Sequence, residues 1–198
     1  MNRIRRLLLV SAAGLLLDGC AAAGPALNSD RIEEKFGSYG VDVIVEDDRR
    51  RVSSLYSGSG VDRVTRTYAL VEFLGDARPE FSDEHAAVMR GASIGETFRR
   101  SGWSIRKQTL FIGELEVPAA YTIVGNLMQI ELPDNLAVHQ YLFVISREER
   151  SFSYARITEV HHPEFATQAD LQAWYGEIIL DDSNRDSIHD FLGPPAAK

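Results

Sequence analysis

The sequence predicts an α+β domain built on a mainly antiparallel sheet, with about three helices. Strand-like segments of alternating apolar and polar residues come in runs, rather than one by one between helices. Helix-start residues and glycine stop signals bracket only a few segments. Runs of strands separated by helices are typical of antiparallel sheets, whereas regular alternation of strand and helix predicts a parallel sheet.

Three helical segments are predicted from their end signals. They start at Ser29, Ser82 and Thr167 and stop before Gly37, Gly102 and Gly176. Within the second segment, Ser93 and Glu96 have the spacing of a capping box, and Gly91 just before them indicates a kink or a restart.

Segments with strand character fill most of the remaining chain. They cover residues 41–46, 51–56, 66–73, 103–112, 121–124, 128–132, 138–146 and 152–160. The Ser-Gly-Ser-Gly run at 57–60 predicts a hairpin loop, and Glu148 to Arg150 predicts a tight turn between the last two strands.

An internal duplication is a further interpretation of the pattern. Pro-Glu-Phe stands before the second and third helical segments, at 79–81 and 163–165, each time after apolar strand residues (68–71 and 141–144). A Phe…Gly pattern, at 36–40 and 98–102, precedes a strand in each half. Two copies would give a pseudo-twofold domain with a groove where the halves meet. Chance similarity is the alternative.

The N-terminus has the pattern of an export signal. Arg3, Arg5 and Arg6 precede an apolar run from Leu7 to Leu17. That run is shorter than the roughly 20 residues of a membrane-spanning helix. Cys20, directly after it, is the only cysteine of the chain, so the mature domain can form no disulfide within itself.

Leu17-Asp18-Gly19-Cys20 resembles the lipobox of bacterial lipoproteins processed by signal peptidase II. The resemblance implies that the Cys20 thiol carries a diacylglyceryl group and that cleavage occurs before it. Ala21, in place of the aspartate that retains lipoproteins in the inner membrane, implies an outer-membrane location facing the periplasm. An ordinary secretory signal with a chance cysteine is the alternative.

This interpretation divides the chain into a signal peptide (1–19), an acylated tether (20–28), a single α+β domain (29–192) and a flexible tail (193–198). Residues 1–19 carry three arginines and one aspartate, so their removal changes the net charge of −8 to −10. An acidic domain lacks the basic footprint of a nucleic-acid-binding protein. The mature sequence contains no long apolar run, so no transmembrane helix is expected.

One cluster of chemically active residues follows from a strand register. If Glu148 to Arg150 is a three-residue loop, Arg147 pairs with Ser151 and His139 lies opposite Glu159. His161 then shares a sheet face with Glu159. Two imidazoles and a carboxylate suit a transition metal, or a general base with its orienting partner. The alternative is an ordinary cross-strand pair on an exposed sheet, and neither a metal nor a cofactor is predicted.

The run Arg49-Arg50-Arg51 follows Asp47 and Asp48. We expect a solvated turn of alternating charge there, and contact with a polyanion is the alternative.

Two functions are consistent with these patterns. The first is a non-enzymatic binding or accessory module of the cell envelope, anchored to the membrane by lipid and with an envelope protein as its candidate partner. The second is a membrane-tethered enzyme, such as a hydrolase, that uses His139, Glu159 and His161. The acidic domain without a recognisable catalytic motif favours the first.

Metabolic labelling with radioactive palmitate tests the anchor. We expect the wild-type protein to be labelled and the Cys20→Ala variant to carry no label, because this substitution removes the only thiol. Equal labelling of the two proteins, or label on neither, contradicts lipidation at Cys20.

Overall fold

The computed structural model describes residues 26–176, which form one six-stranded antiparallel sheet and five α-helices. The α+β class with a mainly antiparallel sheet is therefore confirmed, but the described chain has five helices where about three were expected. The predicted signal peptide, Cys20, the tether before residue 26 and residues 177–198, including the predicted tail, lie outside the described residues.

The six strands form two three-stranded meanders joined edge to edge. They are β1 (Gly40–Glu46), β2 (Arg50–Ser57), β3 (Val64–Phe73), β4 (Ser104–Val117), β5 (Asp134–Arg147) and β6 (Arg150–His161). The spatial order is β1-β2-β3-β6-β5-β4, and every neighbouring pair is antiparallel. The first and second halves of the chain therefore meet where β3 pairs with β6.

The helices cover the two faces of the sheet unequally. They are α1 (Asn28–Phe36), α2 (Ser82–Val88), α3 (Ile94–Arg100), α4 (Thr122–Met128) and α5 (Gln168–Tyr175). Apolar residues of α1, α2, α3 and α5 pack on one face, and those of α4 pack on the other. Within the described residues, no helix has both the length and the apolar character required to span a membrane.

The end signals located all three helical segments, although one predicted cap is wrong. The second segment restarts as predicted, because Gly91 adopts a left-handed φ of 94° between α2 and α3. Thr167 caps α5 by accepting a hydrogen bond from the Asp170 backbone N–H. The predicted Ser29 cap is wrong: α1 begins at Asn28, and the Asp30 carboxylate accepts the Leu27 backbone N–H instead.

The predicted strands at 121–124 and 128–132 are wrong, since α4 and the loop after it occupy this region. The buried residues Tyr121, Val124 and Met128 are spaced three and four apart, which is the periodicity of a helix. Gln129 then ends the helix with a left-handed φ of 56°. The segment is too short and too uniformly apolar for composition alone to separate the two structures.

The β5–β6 register pairs His139 with Glu159, as predicted, but for a different reason. The turn has two residues, Glu148 and Glu149, so Arg147 pairs with Arg150 rather than with Ser151. A β-bulge near Tyr154 then adds one residue to β6 and restores the predicted pairing of His139 with Glu159. The bulge turns the Tyr154 side chain into the core under the helices.

An aromatic cluster between α2, α3 and the sheet forms the largest part of the core. Phe98 of α3 is fully buried, with its ring centroid 4.7 Å from that of Tyr154 and 6.1 Å from those of Trp103 and Phe143. Edge-to-face contacts of this kind stabilise beyond the burial of area alone. Helix α3 is therefore held to the sheet through Phe98 together with Ile94, the other buried residue of this helix.

We expect Phe98→Ala to lower the free energy of unfolding by about 3–5 kcal/mol, because it leaves a cavity in the core. Urea unfolding followed by circular dichroism measures this change. Leu74→Ala is the control, since Leu74 is 44% exposed and its loss should cost less than about 0.5 kcal/mol. Similar losses for the two variants would contradict this account of the core.

Candidate functional site

The structure brings His139, Glu159 and His161 together on the sheet face that α1, α2, α3 and α5 cover. One carboxylate oxygen of Glu159, Oε2, lies 3.9 Å from His139 Nδ1 and 3.9 Å from His161 Nε2. Tyr141 donates a hydrogen bond of 2.8 Å to the other oxygen, Oε1. The Lys107 ammonium lies 3.4 Å from Oε2. The predicted three residues are therefore part of a five-residue polar cluster.

This cluster is sealed inside the fold rather than displayed on an exposed sheet. Both histidines have no exposed surface, and Glu159 and Lys107 are buried. The Tyr175 ring of α5 stacks on His139 with centroids 4.3 Å apart. The expectation of a cross-strand pair on exposed sheet is therefore wrong, because α1 and α5 cover this part of the face. A substrate can contact the imidazoles only from inside the protein.

Two threonines fix the orientation of the imidazoles. Thr109 Oγ1 lies 3.1 Å from His139 Nε2, and Thr67 Oγ1 lies 3.0 Å from His161 Nδ1. Burial lowers the pKa of His161 to about 4 and holds the pKa of His139 well below its ordinary value. Both rings are therefore neutral at pH 7. The ring nitrogens that face Glu159, His139 Nδ1 and His161 Nε2, have no hydrogen-bond partner among the described residues.

The geometry does not form a metal site among the described residues. No group of three or more His, Cys, Asp or Glu side chains in residues 26–176 is arranged to hold an ion. The Lys107 ammonium beside the Glu159 carboxylate also places a positive charge where a cation would have to sit. The arrangement is chemically a buried ion pair with two neutral imidazoles behind it.

A cavity of about 70 Å³ lies in front of the ion pair, between the sheet and the first turns of α1 and α3. Its lining includes Glu159 and Lys107 but neither histidine. Strand residues from both halves of the sheet form its floor, and they include Ala69, Val71 and Ile157. The cavity therefore spans the β3–β6 junction.

Two side chains at the start of α1 present unused hydrogen-bonding atoms beside this cavity. Asn28 and Ser29 line it, and both are more than nine-tenths buried. Asn28 Nδ2 and Ser29 Oγ have no hydrogen-bond partner in the described chain. Leu27 and Asn28, at the end of the predicted tether, are thus buried against the domain.

Arg51 also lines the cavity, which corrects the expectation of a solvated turn for the whole arginine run. Its side chain is buried, and its guanidinium donates hydrogen bonds to Ser53 Oγ and to the carbonyls of Val88, the last residue of α2, and of Ala92. Arg49 and Arg50 are exposed as expected. Arg50 and Arg51 differ because both lie in strand β2, where successive side chains face opposite sides of the sheet.

Sequence reasoning missed Lys107, Asn28 and Ser29 as site residues, and it singled out Arg51 only through the alternative of a polyanion contact. Lys107 lies between Arg106 and Gln108, so its segment has the composition of exposed sheet. The alternation of β4 still held the signal, since Lys107 pairs with the apolar Phe143 and shares its face. The positions of Asn28 and Ser29 depend on how α1 packs, which no local pattern records.

Comparison with known proteins does not assign the site. No protein-family model matches the chain, and no match was found among curated proteins.

The buried histidines predict a loss of stability in acid. Unfolding releases His161 from its folded pKa of about 4 to its ordinary value near 6.5, so the unfolded chain binds more protons between these values. The free energy of unfolding is therefore highest above pH 6.5 and falls as the pH is lowered. From pH 7 to pH 5, we expect His161 alone to account for a loss of about 1–2 kcal/mol.

Urea unfolding at the two pH values measures this loss. His161→Gln should reduce it, because glutamine does not titrate. A wild-type protein that is equally stable at both pH values, or a His161→Gln variant with the full loss, would contradict the assignment.

Proposed function

We propose that this protein is a lipid-anchored binding module of the bacterial cell envelope, and that its domain holds a small ligand in the cavity between the sheet, α1 and α3. The lipobox-like segment at Cys20 supports the anchor. Ala21 supports an outer-membrane location, with the domain facing the periplasm. A binding role is favoured over a tethered enzyme because the histidines are sealed behind Glu159, away from the cavity.

The observation that carries the binding function is the pair of unpartnered polar atoms at the start of α1. Asn28 Nδ2 and Ser29 Oγ are buried without a hydrogen bond to residues 26–176. A buried polar group left in this state costs about 1–3 kcal/mol. Both groups line a cavity that continues to a buried ion pair. A ligand that bonds to them recovers this cost, whereas an apolar filling does not.

The cavity opens to the protein surface beside α3. Tyr39 and Ser93 line it and are half-buried, and their hydroxyl groups lie 3.4 Å apart. Tyr39 belongs to the short connection that follows α1 and leads into β1, the edge strand of the sheet.

An anchor at Cys20 would keep the cavity close to the bilayer. Even a fully extended chain from Cys20 to Asn28 reaches only about 28 Å. Asn28 itself lines the cavity. The proposed module therefore takes up its ligand near the membrane surface, within reach of an envelope protein partner.

We also propose that the domain arose by internal duplication. The strand order supports this, because a twofold axis between β3 and β6 exchanges the two meanders. The two Pro-Glu-Phe segments then correspond, and Phe81 and Phe165 are both buried before a helix. Under this symmetry β3 corresponds to β6, so residues 68–71 and 141–144 do not correspond and are not part of the repeat. The cavity crosses the proposed axis.

Filling the cavity tests the binding function. Ala69 is buried in its floor, so Ala69→Leu should occupy the space and abolish binding while the domain stays folded. We expect butyrate or butyramide, titrated at millimolar concentration, to shift backbone amide NMR signals of cavity residues in the wild-type protein only. Ala173→Leu, at an exposed position of α5, is the matched control and should bind like wild type. If neither probe shifts these signals, or if Ala69→Leu binds normally, the proposed function is wrong.

A further inference from the structure

The charge around the cavity is unbalanced. Lys107 and Glu159 form an ion pair, and Arg51 adds a second buried cation. The Arg51 guanidinium donates hydrogen bonds to one hydroxyl and two carbonyls. In residues 26–176, no carboxylate oxygen lies within 4.0 Å of it. The carboxylate of Glu46 interacts with it only at longer range. The groups that line the cavity therefore carry a net charge of about +1. An anion would balance it, and a cation would be repelled.

The unpartnered polar atoms of Asn28 and Ser29 beside the cavity are suited to bind a hydrogen-bond acceptor. The Asn28 side-chain oxygen lies 3.4 Å from the Lys107 ammonium, which leaves its Nδ2 as a free donor. The Ser29 hydroxyl is a second available donor. Both belong to the first turn of α1, a nine-residue helix whose N-terminal dipole also favours negative charge. Asp30 in the same turn is neutralised by Arg99, which holds both of its carboxylate oxygens.

The other walls limit the size and polarity of the rest of the ligand. Val71, Phe143 and Ile157 give the cavity an aliphatic and aromatic floor. At about 10–15 Å³ for each water-sized position, a cavity of 70 Å³ accepts about five to seven non-hydrogen atoms. A ligand that lies wholly inside the cavity is therefore small.

From these observations we propose that the cavity binds a short-chain aliphatic carboxylate. Its carboxylate group accepts hydrogen bonds from Asn28 Nδ2 and Ser29 Oγ beside the Lys107 ammonium, and its alkyl chain lies against the sheet. Arg51 supplies the balancing positive charge. This inference rests on the proposed binding function and names its ligand class.

Three probes of similar shape separate charge from size: butyrate, butyramide and butylammonium. Hydrogen bonds to a charged acceptor are roughly twice as strong as those to a neutral acceptor, and the carboxylate accepts two of them, so we expect butyrate to bind about tenfold more tightly than butyramide. Butylammonium should not bind. NMR titration gives the dissociation constants, with sodium chloride as the control for a general anion effect.

Asn28→Asp tests the residue at the centre of the inference. It keeps the shape of the side chain but replaces a donor with a negative charge, so butyrate affinity should fall at least about tenfold. Butyramide carries no charge and can turn its NH2 group towards the new carboxylate, so its affinity should fall much less. Asn126→Asp, at an exposed position of α4, adds the same charge away from the cavity and should change neither. Ser29→Ala, which adds no charge, provides a second variant and should weaken butyrate selectively.

The outcomes separate the two proposals. If butyramide or butylammonium binds as tightly as butyrate, or if Asn28→Asp and Ser29→Ala leave butyrate affinity unchanged, the carboxylate inference is wrong and the binding function stands. If chloride produces the same shifts as butyrate, the site accepts an adventitious ion only, and the inference is again wrong. If no probe shifts the cavity signals, both proposals fail.

Discussion

The pairing of β3 with β6 is the interaction on which the rest of the structure depends. It runs antiparallel from Thr67 with His161 to Phe73 with Ala155, and it joins two meanders that are otherwise separate three-stranded sheets. The partners are about ninety residues apart in sequence, so the chain must close a long loop before this ladder stabilises it. All four helices on one face, and the cavity beneath two of them, need the continuous floor that this pairing creates.

The same pairing explains why a polar cluster lies in the interior. Glu159 and His161 are in the strand at the centre of the sheet, where both faces have neighbours. Removing two charges from water costs several kcal/mol for each ion, and only close geometry with further hydrogen bonds offsets it. Tyr141 supplies such a bond to Glu159, and Lys107 supplies the opposite charge. Arg51 is stabilised differently, because carbonyl groups at the end of α2 take the place of an anion.

Local patterns in the sequence predicted much of the fold and part of the site. Period-two alternation located the strands of both meanders, and glycine and capping signals located most helix ends. The cluster of His139 with Glu159 followed from register, although two local errors, the turn length and the bulge, cancelled. The strand prediction for the α4 region was wrong because a short apolar segment fits both helix and strand periodicity. The sequence did not predict the cavity residues, because the burial of Lys107 and Arg51 depends on helices that are distant from them in the sequence.

The first turn of α1 belongs both to the cavity wall and to the segment that leads towards Cys20. The Arg31 guanidinium holds the Ala26 carbonyl at 2.6 Å and the Tyr175 hydroxyl at 2.9 Å, which fastens this end of the chain to α5. In an anchored protein, mechanical tension from the membrane would reach these contacts first. Because linkage is reciprocal, a ligand held by Asn28 and Ser29 would raise the force needed to detach α1, and that tension would in turn promote ligand release.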